Sequence, residues 1–365
     1  MNRRGFIGFA GLGALSQMKE VRSSVFTSVD QEGQNWTQMR LGTQRGPITT
    51  ELLQFCARHG VEGICLSPKV TTARRWDPEE VSRTRDLCES HGIRLEILGG
   101  ALTSAGIERQ IFPHILLGQD PERDREMDLF CEMIAVAGRV GVPCIKYNLA
   151  ILPVLRTKPT VGRGGVSYST WSLKEAPDGA LTPAGRMTDE IFWERIAYFL
   201  KRMLPVASEY KIRMACHPHD PGVPPGGYRG VDRVLGTVEG LKRFVDISPS
   251  PYHGLNLCVG TVAEMLQNPR EEIYSILRYF GERNRLFNIH FRNIRGRRDN
   301  FYEVYPDEGD LDMFRVIKTL KEVGYKHLIM PDHMPRHPED PQSRQAFAFA
   351  YGYIKGLLQA LASSG

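Results

Sequence analysis

The sequence lacks the features that mark several large classes of protein. Its seven cysteines include no Cys-x-x-Cys pair and no regular spacing, so neither a disulfide framework nor a zinc ribbon is predicted. Most of them stand inside apolar segments, as Cys65 and Cys144 do, which indicates buried, reduced thiols. No Gly-x-Gly-x-x-Gly opens any predicted helix, so a dinucleotide-binding fold is disfavoured.

A strong charge bias is also absent. The chain has 47 Lys and Arg residues against 42 Asp and Glu residues, a net charge of +5. No basic stripe is interleaved with aromatic residues, so nucleic acid is not an expected partner. A mildly basic protein suits an anionic small molecule instead. The sequence leaves open whether the chain forms a homo-oligomer.

The N-terminus resembles a twin-arginine export signal. Arg3 and Arg4 are followed by Phe6 and then by a short apolar segment rich in Gly and Ala. This segment is too short to cross a membrane as a stable helix. We expect residues 1–35 to be a leader outside the fold, and the protein to be either exported to the periplasm or retained in the cytoplasm. Export by this route carries folded proteins, so a metal could be loaded beforehand.

Short apolar segments alternate with longer amphipathic ones from Met39 to the C-terminus. Several of the short segments are apolar through most of their length, as strands buried on both faces are. The predicted strands are 39–42, 61–67, 93–99, 142–149, 212–217, 254–259, 287–293 and 327–332. The predicted helices are 49–59, 78–91, 124–140, 188–210, 237–246, 262–280, 311–323 and 342–362. Asp310 is the expected N-cap of the seventh helix. Glycines at helix C-caps are expected at Gly60, Gly92, Gly141 and Gly324.

Eight strands alternating with eight helices predict a single (β/α)8 TIM barrel over residues 36–365. An open, doubly wound sheet is the structural alternative. Two insertions, at about 103–123 and 150–187, follow strands 3 and 4. Because they follow strand ends, both should lie on the catalytic face of the barrel.

Four potential metal ligands lie at or near the carboxyl ends of successive predicted strands: His217, Cys258, His290 and Asp332. Each could have an ordinary structural role on its own. Their separation by about one βα unit, however, brings them to one small volume at the mouth of a barrel. Two imidazoles, a thiolate and a carboxylate suit a first-row divalent ion, Mn²⁺, Fe²⁺, Co²⁺ or Zn²⁺, better than Mg²⁺ or Ca²⁺. The sequence therefore predicts a catalytic metal site.

Polar residues near these ligands predict a site for an anion. Arg292 is a candidate carboxylate clamp, with a salt bridge at the rim as its alternative role. His333, next to Asp332, is the candidate general acid or base. Lys146 and Asn148 should share one face of strand 4, although the pattern does not say which face. His219 is a candidate for supporting the metal ligands or contacting the substrate.

Several motifs in this chain resemble the mannonate dehydratase family of xylose-isomerase-like barrels. The resemblance runs from about Met39 to the C-terminus. It rests on Asp120-Pro121-Glu122-Arg123, Lys146-Tyr147-Asn148, Phe192-Trp193-Glu194-Arg195, His217-Pro218-His219-Asp220-Pro221, Leu257-Cys258, His290-Phe291-Arg292-Asn293 and Pro331-Asp332-His333.

The resemblance implies that His217, Cys258, His290 and Asp332 hold a divalent metal, Mn²⁺ or Fe²⁺, and that His333 acts in catalysis. It implies a lyase of hexuronate catabolism that dehydrates D-mannonate to 2-keto-3-deoxy-D-gluconate. A metal ion and Arg292 would stabilise the negative charge that develops on the substrate carboxylate.

The chain also departs from the family pattern. His219 replaces an aspartate in the His-Pro-Asp-Asp-Pro motif, and Met330 and Met334 replace the arginine and glycine of Arg-Pro-Asp-His-Gly. The stretch before the last helix, where the family has a catalytic tyrosine, contains no tyrosine over 343–349. A sugar isomerase or epimerase with the same barrel, and an exported barrel that binds a sugar acid without converting it, are the alternative hypotheses.

Overall fold

The computed structural model describes residues 39–363, and thirteen strands lie within them. They are β1 (Arg40–Thr43), β2 (Gly63–Leu66), β3 (Arg94–Gly99), β4 (Cys144–Asn148), β5 (Thr160–Val161), β6 (Ser167–Tyr168), β7 (Thr170–Ser172), β8 (Arg213–His217), β9 (His253–Cys258), β10 (Leu286–His290), β11 (Asn293–Arg297), β12 (Asn300–Val304) and β13 (Leu328–Met330). Eight of them close into a parallel barrel in the order β1-β13-β10-β9-β8-β4-β3-β2. The predicted TIM barrel is confirmed.

Helices follow the barrel strands. They are α1 (Thr50–Arg58), α2 (Pro78–Glu89), α3 (Pro113–Leu117), α4 (Glu122–Arg139), α5 (Asp189–Glu209), α6 (Val238–Asp246), α7 (Val259–Ala263), α8 (Pro269–Glu282), α9 (Met313–Glu322) and α10 (Arg344–Ser363). The four glycines predicted at helix ends all have a positive φ, between 70° and 75°, a backbone conformation that favours glycine.

Three details of the sequence prediction were wrong. The helix predicted at 262–280 is two helices, α7 and α8, and the strand predicted at 287–293 ends at His290 before β11 begins. The N-cap of α9 is Asp312, whose carboxylate accepts a hydrogen bond from the Arg315 amide at 2.9 Å. Asp310 instead accepts a hydrogen bond from the Gly296 amide and pairs with Arg270, so it ties the β11 loop to α8.

The two predicted insertions contain short elements of their own. The segment 103–123 holds α3, and the segment 150–187 holds β5, β6 and β7. Strand β7 pairs antiparallel with β12, which in turn pairs with β11. The resulting small sheet joins the insertion after β4 to the hairpin after β10, so the connections after two barrel strands form one structural unit.

The described residues do not include the predicted leader at 1–35. Across 39–363, no helix has both the length and the apolar character needed to cross a membrane.

Candidate metal centre

The four predicted ligands meet at the carboxyl ends of the barrel strands. His217, Cys258 and His290 are the last residues of β8, β9 and β10, and Asp332 follows β13 by two residues. Strand register sets Cys258 directly opposite His290. One ligand atom from each of the four residues lies within 4.8 Å of those of the other three. Bond lengths of about 2.0–2.3 Å to a shared ion are compatible with such separations.

Neighbouring groups aim one nitrogen of each histidine at this cluster. Nδ1 of His217 donates a hydrogen bond to the Pro218 carbonyl at 2.7 Å, which leaves the Nε2 lone pair for an ion. The side-chain amide of Asn256 lies 3.2 Å from Nε2 of His290. The nearer amide atom is Nδ2, which donates to Nε2, while Oδ1 of Asn256 accepts from the side-chain amide of Asn288. Nδ1 of His290 is buried and lies 3.4 Å from Oδ1 of Asp332, so this nitrogen faces another of the ligand candidates.

Burial and neighbouring charges shift the pKa values of these side chains. Burial and the neighbouring His290 lower the pKa of His217 to about 3, so its ring is neutral as a ligand must be. Burial alone would raise the pKa of Asp332, but His333, His290 and Arg292 outweigh it and hold that pKa well below the usual range. Burial raises the pKa of the Cys258 thiol, although Arg292 opposes this, and a bound cation would favour the thiolate. The donor set of two neutral imidazoles, a carboxylate and a thiol fits a divalent ion.

Lys146 is linked to the ligand candidate Asp332 through Gln44, a residue that was not predicted from the sequence. The Lys146 ammonium donates to Oε1 of Gln44 at 2.5 Å, and Nε2 of Gln44 donates to Oδ1 of Asp332 at 2.9 Å. Gln44 immediately follows β1 and therefore lies at the carboxyl end of a barrel strand, a position that could have drawn attention to it.

The structure also settles the face of β4 that carries Lys146 and Asn148. Tyr147 packs against Phe130 of α4 and Phe199 of α5, so its side chain points outward to the helices. Because successive strand residues alternate in direction, Lys146 and Asn148 point into the barrel. Strand register places Asn148 opposite the metal-ligand candidate His217.

Arg292 lies at the centre of a buried ionic network. One terminal nitrogen contacts carboxylate oxygens of Asp220 at 2.8 Å, Glu303 at 3.1 Å and Asp332 at 3.3 Å. The other donates to Glu264 at 2.6 Å and to Thr261 at 2.7 Å. Both terminal nitrogens are thus occupied by the chain's own groups, which differs from the free substrate clamp that the sequence suggested.

The Arg292 network makes a first testable prediction. Replacing Arg292 by methionine should lower the free energy of unfolding by about 3–5 kcal/mol, because it strands several buried carboxylates without a counter-charge. Urea unfolding of metal-free protein measures this loss. Arg125→Met is the matched control, since Arg125 is exposed and, among residues 39–363, forms an ion pair with Glu122 alone; it should cost less than about 1 kcal/mol. Similar small losses in both variants would contradict the structural importance of the network.

His333 is the exposed member of the same network. Its side chain is 47% exposed, and its Nδ1 lies 2.9 Å from Oε2 and 3.1 Å from Oε1 of Glu303. Its Nε2 lies 3.8 Å from Oδ1 of Asp332. These two carboxylates, Asp332 first, raise the pKa of His333 to about 9. The imidazole therefore carries a transferable proton beside the metal cluster.

His219 is placed differently from the expectation of a substrate contact. Its Nε2 contacts the Leu149 carbonyl at 2.8 Å, and its Nδ1 accepts from the Leu235 amide at 3.3 Å. Both ring nitrogens are therefore engaged by backbone groups, and the ring is buried. In this position His219 joins the ends of β4 and β8 to the loop before α6.

Tyr351 of α10 does not take the place of the tyrosine that the resemblance implies before the last helix. The hydroxyl of Tyr351 lies 2.6 Å from Oγ1 of Thr43, and both side chains are fully buried. Tyr351 also packs against Phe55 of α1, so it belongs to the layer between the barrel and its helices.

Comparison with known proteins agrees with this arrangement. The family model described as D-mannonate dehydratase (UxuA) matches residues 181–364, half of the chain and the half that carries all four ligand candidates. The chain belongs to the mannonate dehydratase family. The resemblance seen in the sequence motifs is thereby confirmed, and the site is that of a member of a hydro-lyase family.

Individual relatives support the assignment. A mannonate dehydratase from Thermotoga neapolitana is 27% identical over 78% of this chain and 85% of its own length. Among solved structures, the mannonate dehydratase from Streptococcus suis serotype 2 has a TM-score of 0.76 at 24% identity, covering 90% of this chain and 95% of that one. A xylose isomerase domain protein from Planctomyces limnophilus has a TM-score of 0.57 at 16% identity, covering 91% and 100%. The two structures show the xylose-isomerase-like fold.

Proposed function

We propose that this chain is a metal-dependent hydro-lyase that converts D-mannonate, or a closely related sugar acid, to 2-keto-3-deoxy-D-gluconate and water. The observation that carries the proposal is the convergence of His217, Cys258, His290 and Asp332 beside an exposed histidine in a chain of the mannonate dehydratase family. The mixed nitrogen, sulfur and oxygen donors favour Mn²⁺ or Fe²⁺ as the divalent ion.

The reaction needs two proton transfers and the loss of one hydroxyl group. The C–H bond beside the carboxylate breaks, its electron pair forms a carbon–carbon double bond, and the neighbouring C–O bond breaks. The departing hydroxyl takes a proton and leaves as water, and the resulting enol tautomerises to the 2-keto acid. A bound divalent ion supplies electrostatic stabilisation of the charge that develops on the carboxylate oxygens.

We propose that His333 transfers one of these protons. Because Nδ1 is held by Glu303, Nε2 is the nitrogen available to the substrate, on the side of Asp332. Lys146 and Asn148 point into the barrel at the same end and are proposed to bind the carboxylate and hydroxyl groups of the sugar acid. Arg292 supports the site by forming an ion pair with Asp332.

Incubating metal-loaded protein with D-mannonate and assaying for the 2-keto-3-deoxy acid tests the proposal directly. Product formation that chelation abolishes and added metal restores is the expected result. No product from D-mannonate or from other aldonates would overturn it. Conversion of a free sugar without change of mass would indicate an isomerase or epimerase, and tight binding without turnover would indicate a binding protein.

A further inference from the structure

Glu303 lies outside the barrel, on β12 of the small sheet that joins the two catalytic-face connections. It is buried, and no strand was predicted at its position. Its carboxylate nevertheless reaches the exposed His333 at the mouth of the barrel, with Oε2 2.9 Å from Nδ1 of that ring. A group from the covering sheet is thus in direct contact with the proposed proton-transfer residue.

The other side of the Glu303 carboxylate is held by two arginines. Oε1 accepts from Arg292 at 3.1 Å, and it accepts a second hydrogen bond from Arg156 of the insertion after β4. Burial alone would raise the pKa of Glu303, but Arg292, His333 and Arg156 outweigh it and lower that pKa to about 2. The carboxylate is therefore ionised, and the two arginines fix its position next to His333.

We infer that Glu303 is a positioning residue for His333, which holds the imidazole with a proton on Nδ1 and with Nε2 turned to the substrate. The inference rests on the proposed function of His333 and goes beyond it by naming the group that sets its ring orientation. An exposed histidine otherwise samples several rotamers and both tautomers, and a buried acceptor anchored by two arginines selects one of them.

The two oxygens of Glu303 differ in their partners, which gives the inference a test: Oε1 accepts from both arginines, and Oε2 is the nearer one to Nδ1 of His333. In Glu303→Gln the amide oxygen should remain with Arg156 and Arg292, because guanidinium groups only donate hydrogen bonds. The amide NH₂ group then takes the position of Oε2, the nearer oxygen to Nδ1 of His333 (2.9 Å against 3.1 Å for Oε1), and therefore favours an unprotonated Nδ1. The substitution is expected to remove the proton from Nδ1, a change that a loss of packing would not produce.

Asp220 provides the matched control. Its carboxylate is also buried and accepts from the same two arginines, from Arg156 at 2.7 Å and from Arg292 at 2.8 Å. Its described hydrogen bonds include Thr261 but not His333. Asp220→Asn therefore disturbs the arginines to a similar degree while leaving the contact between Glu303 and His333 in place.

The first measurement is nitrogen NMR of histidine-labelled protein loaded with diamagnetic Zn²⁺. The His333 signal is assigned by its loss in His333→Asn. We expect a protonated Nδ1 in the unsubstituted protein and in Asp220→Asn, and an unprotonated Nδ1 in Glu303→Gln. A His333 signal that does not change in Glu303→Gln would overturn the inference. This measurement needs no turnover, so it remains decisive even if D-mannonate is not the substrate.

The second measurement is a double-mutant cycle on turnover. Glu303→Gln should lower kcat by roughly 10–100-fold with little change in KM, the usual effect of removing a group that orients a catalytic residue. In the His333→Asn background the same change should cost nothing further, whereas the loss from Asp220→Asn should persist there. Losses that multiply for Glu303→Gln and His333→Asn would contradict the inference.

A second variant covers the case in which Glu303→Gln does not fold. Glu303→Asp keeps the negative charge for the two arginines but withdraws it by one methylene group from His333. We expect its Nδ1 proton signal to lose the downfield shift of a charge-assisted hydrogen bond, and kcat to fall as in Glu303→Gln. An unchanged proton signal would count against the inference.

Discussion

Cys258→Ala is expected to lose its divalent ion and to reduce kcat/KM by roughly 10³-fold or more, since a metal supplies several kcal/mol of charge stabilisation in such reactions. The thiol of Cys258 is fully buried and lies 3.4 Å from Oδ2 of Asp332, so a methyl group in its place cannot be compensated by water. Metal content per protein chain, measured after gel filtration, tests the loss directly.

Cys144→Ala is the matched control for this substitution. Cys144 is also a fully buried thiol inside the barrel, but it packs with Ala215, Phe287 and Met330 in an apolar cluster. Its removal should cost about 1 kcal/mol of stability at most and leave the metal content unchanged. Full metal occupancy in Cys258→Ala would defeat the proposed ligand set.

His333→Asn is expected to lower kcat by about 10²–10⁴-fold, the usual contribution of a positioned general acid or base. Metal occupancy should be preserved, because His333 borders the cluster without being one of its four members. The measurement is steady-state kinetics on D-mannonate together with metal analysis. This combination separates the loss of proton transfer from the loss of the ion, which the Cys258 variant should show.

His337→Asn controls for the removal of a nearby histidine. His337 lies four residues farther along the same connection, and its ring pairs loosely with the exposed Glu339, 3.9 Å away. Its substitution should change kcat by less than about twofold, as expected for a surface residue. If His333→Asn retained full activity, the assignment of proton transfer to His333 would be wrong.

The sequence predicted the metal cluster because its members depend on strand ends. His217, Cys258 and His290 each end a barrel strand, and closure of the barrel brings consecutive strand ends together. Periodicity along an apolar strand therefore carried enough information to place them. The same periodicity could not place Arg292. The strand ends at His290, so the alternation of side chains no longer indicates where the Arg292 side chain points.

Residues around the cluster could not be predicted for a related reason. Glu303 reaches His333 only because β12 pairs with β7, two short strands separated by well over a hundred residues. Gln44 reaches Asp332 because closure of the barrel pairs the first strand, β1, with the last, β13. Contacts of this kind depend on three-dimensional closure and loop pairing, and local sequence patterns contain little trace of either.

The small sheet made by β7, β11 and β12 has a consequence for loop exchange between related barrels. In TIM barrels the connections after the strands are commonly treated as independent modules that can be transplanted to change specificity. Here Phe301 of one connection is registered against Trp171 of another, and both are buried. A graft of either connection alone would break that register and displace Glu303. Chimeras of this barrel should therefore exchange the segments around 150–187 and 291–311 as a pair.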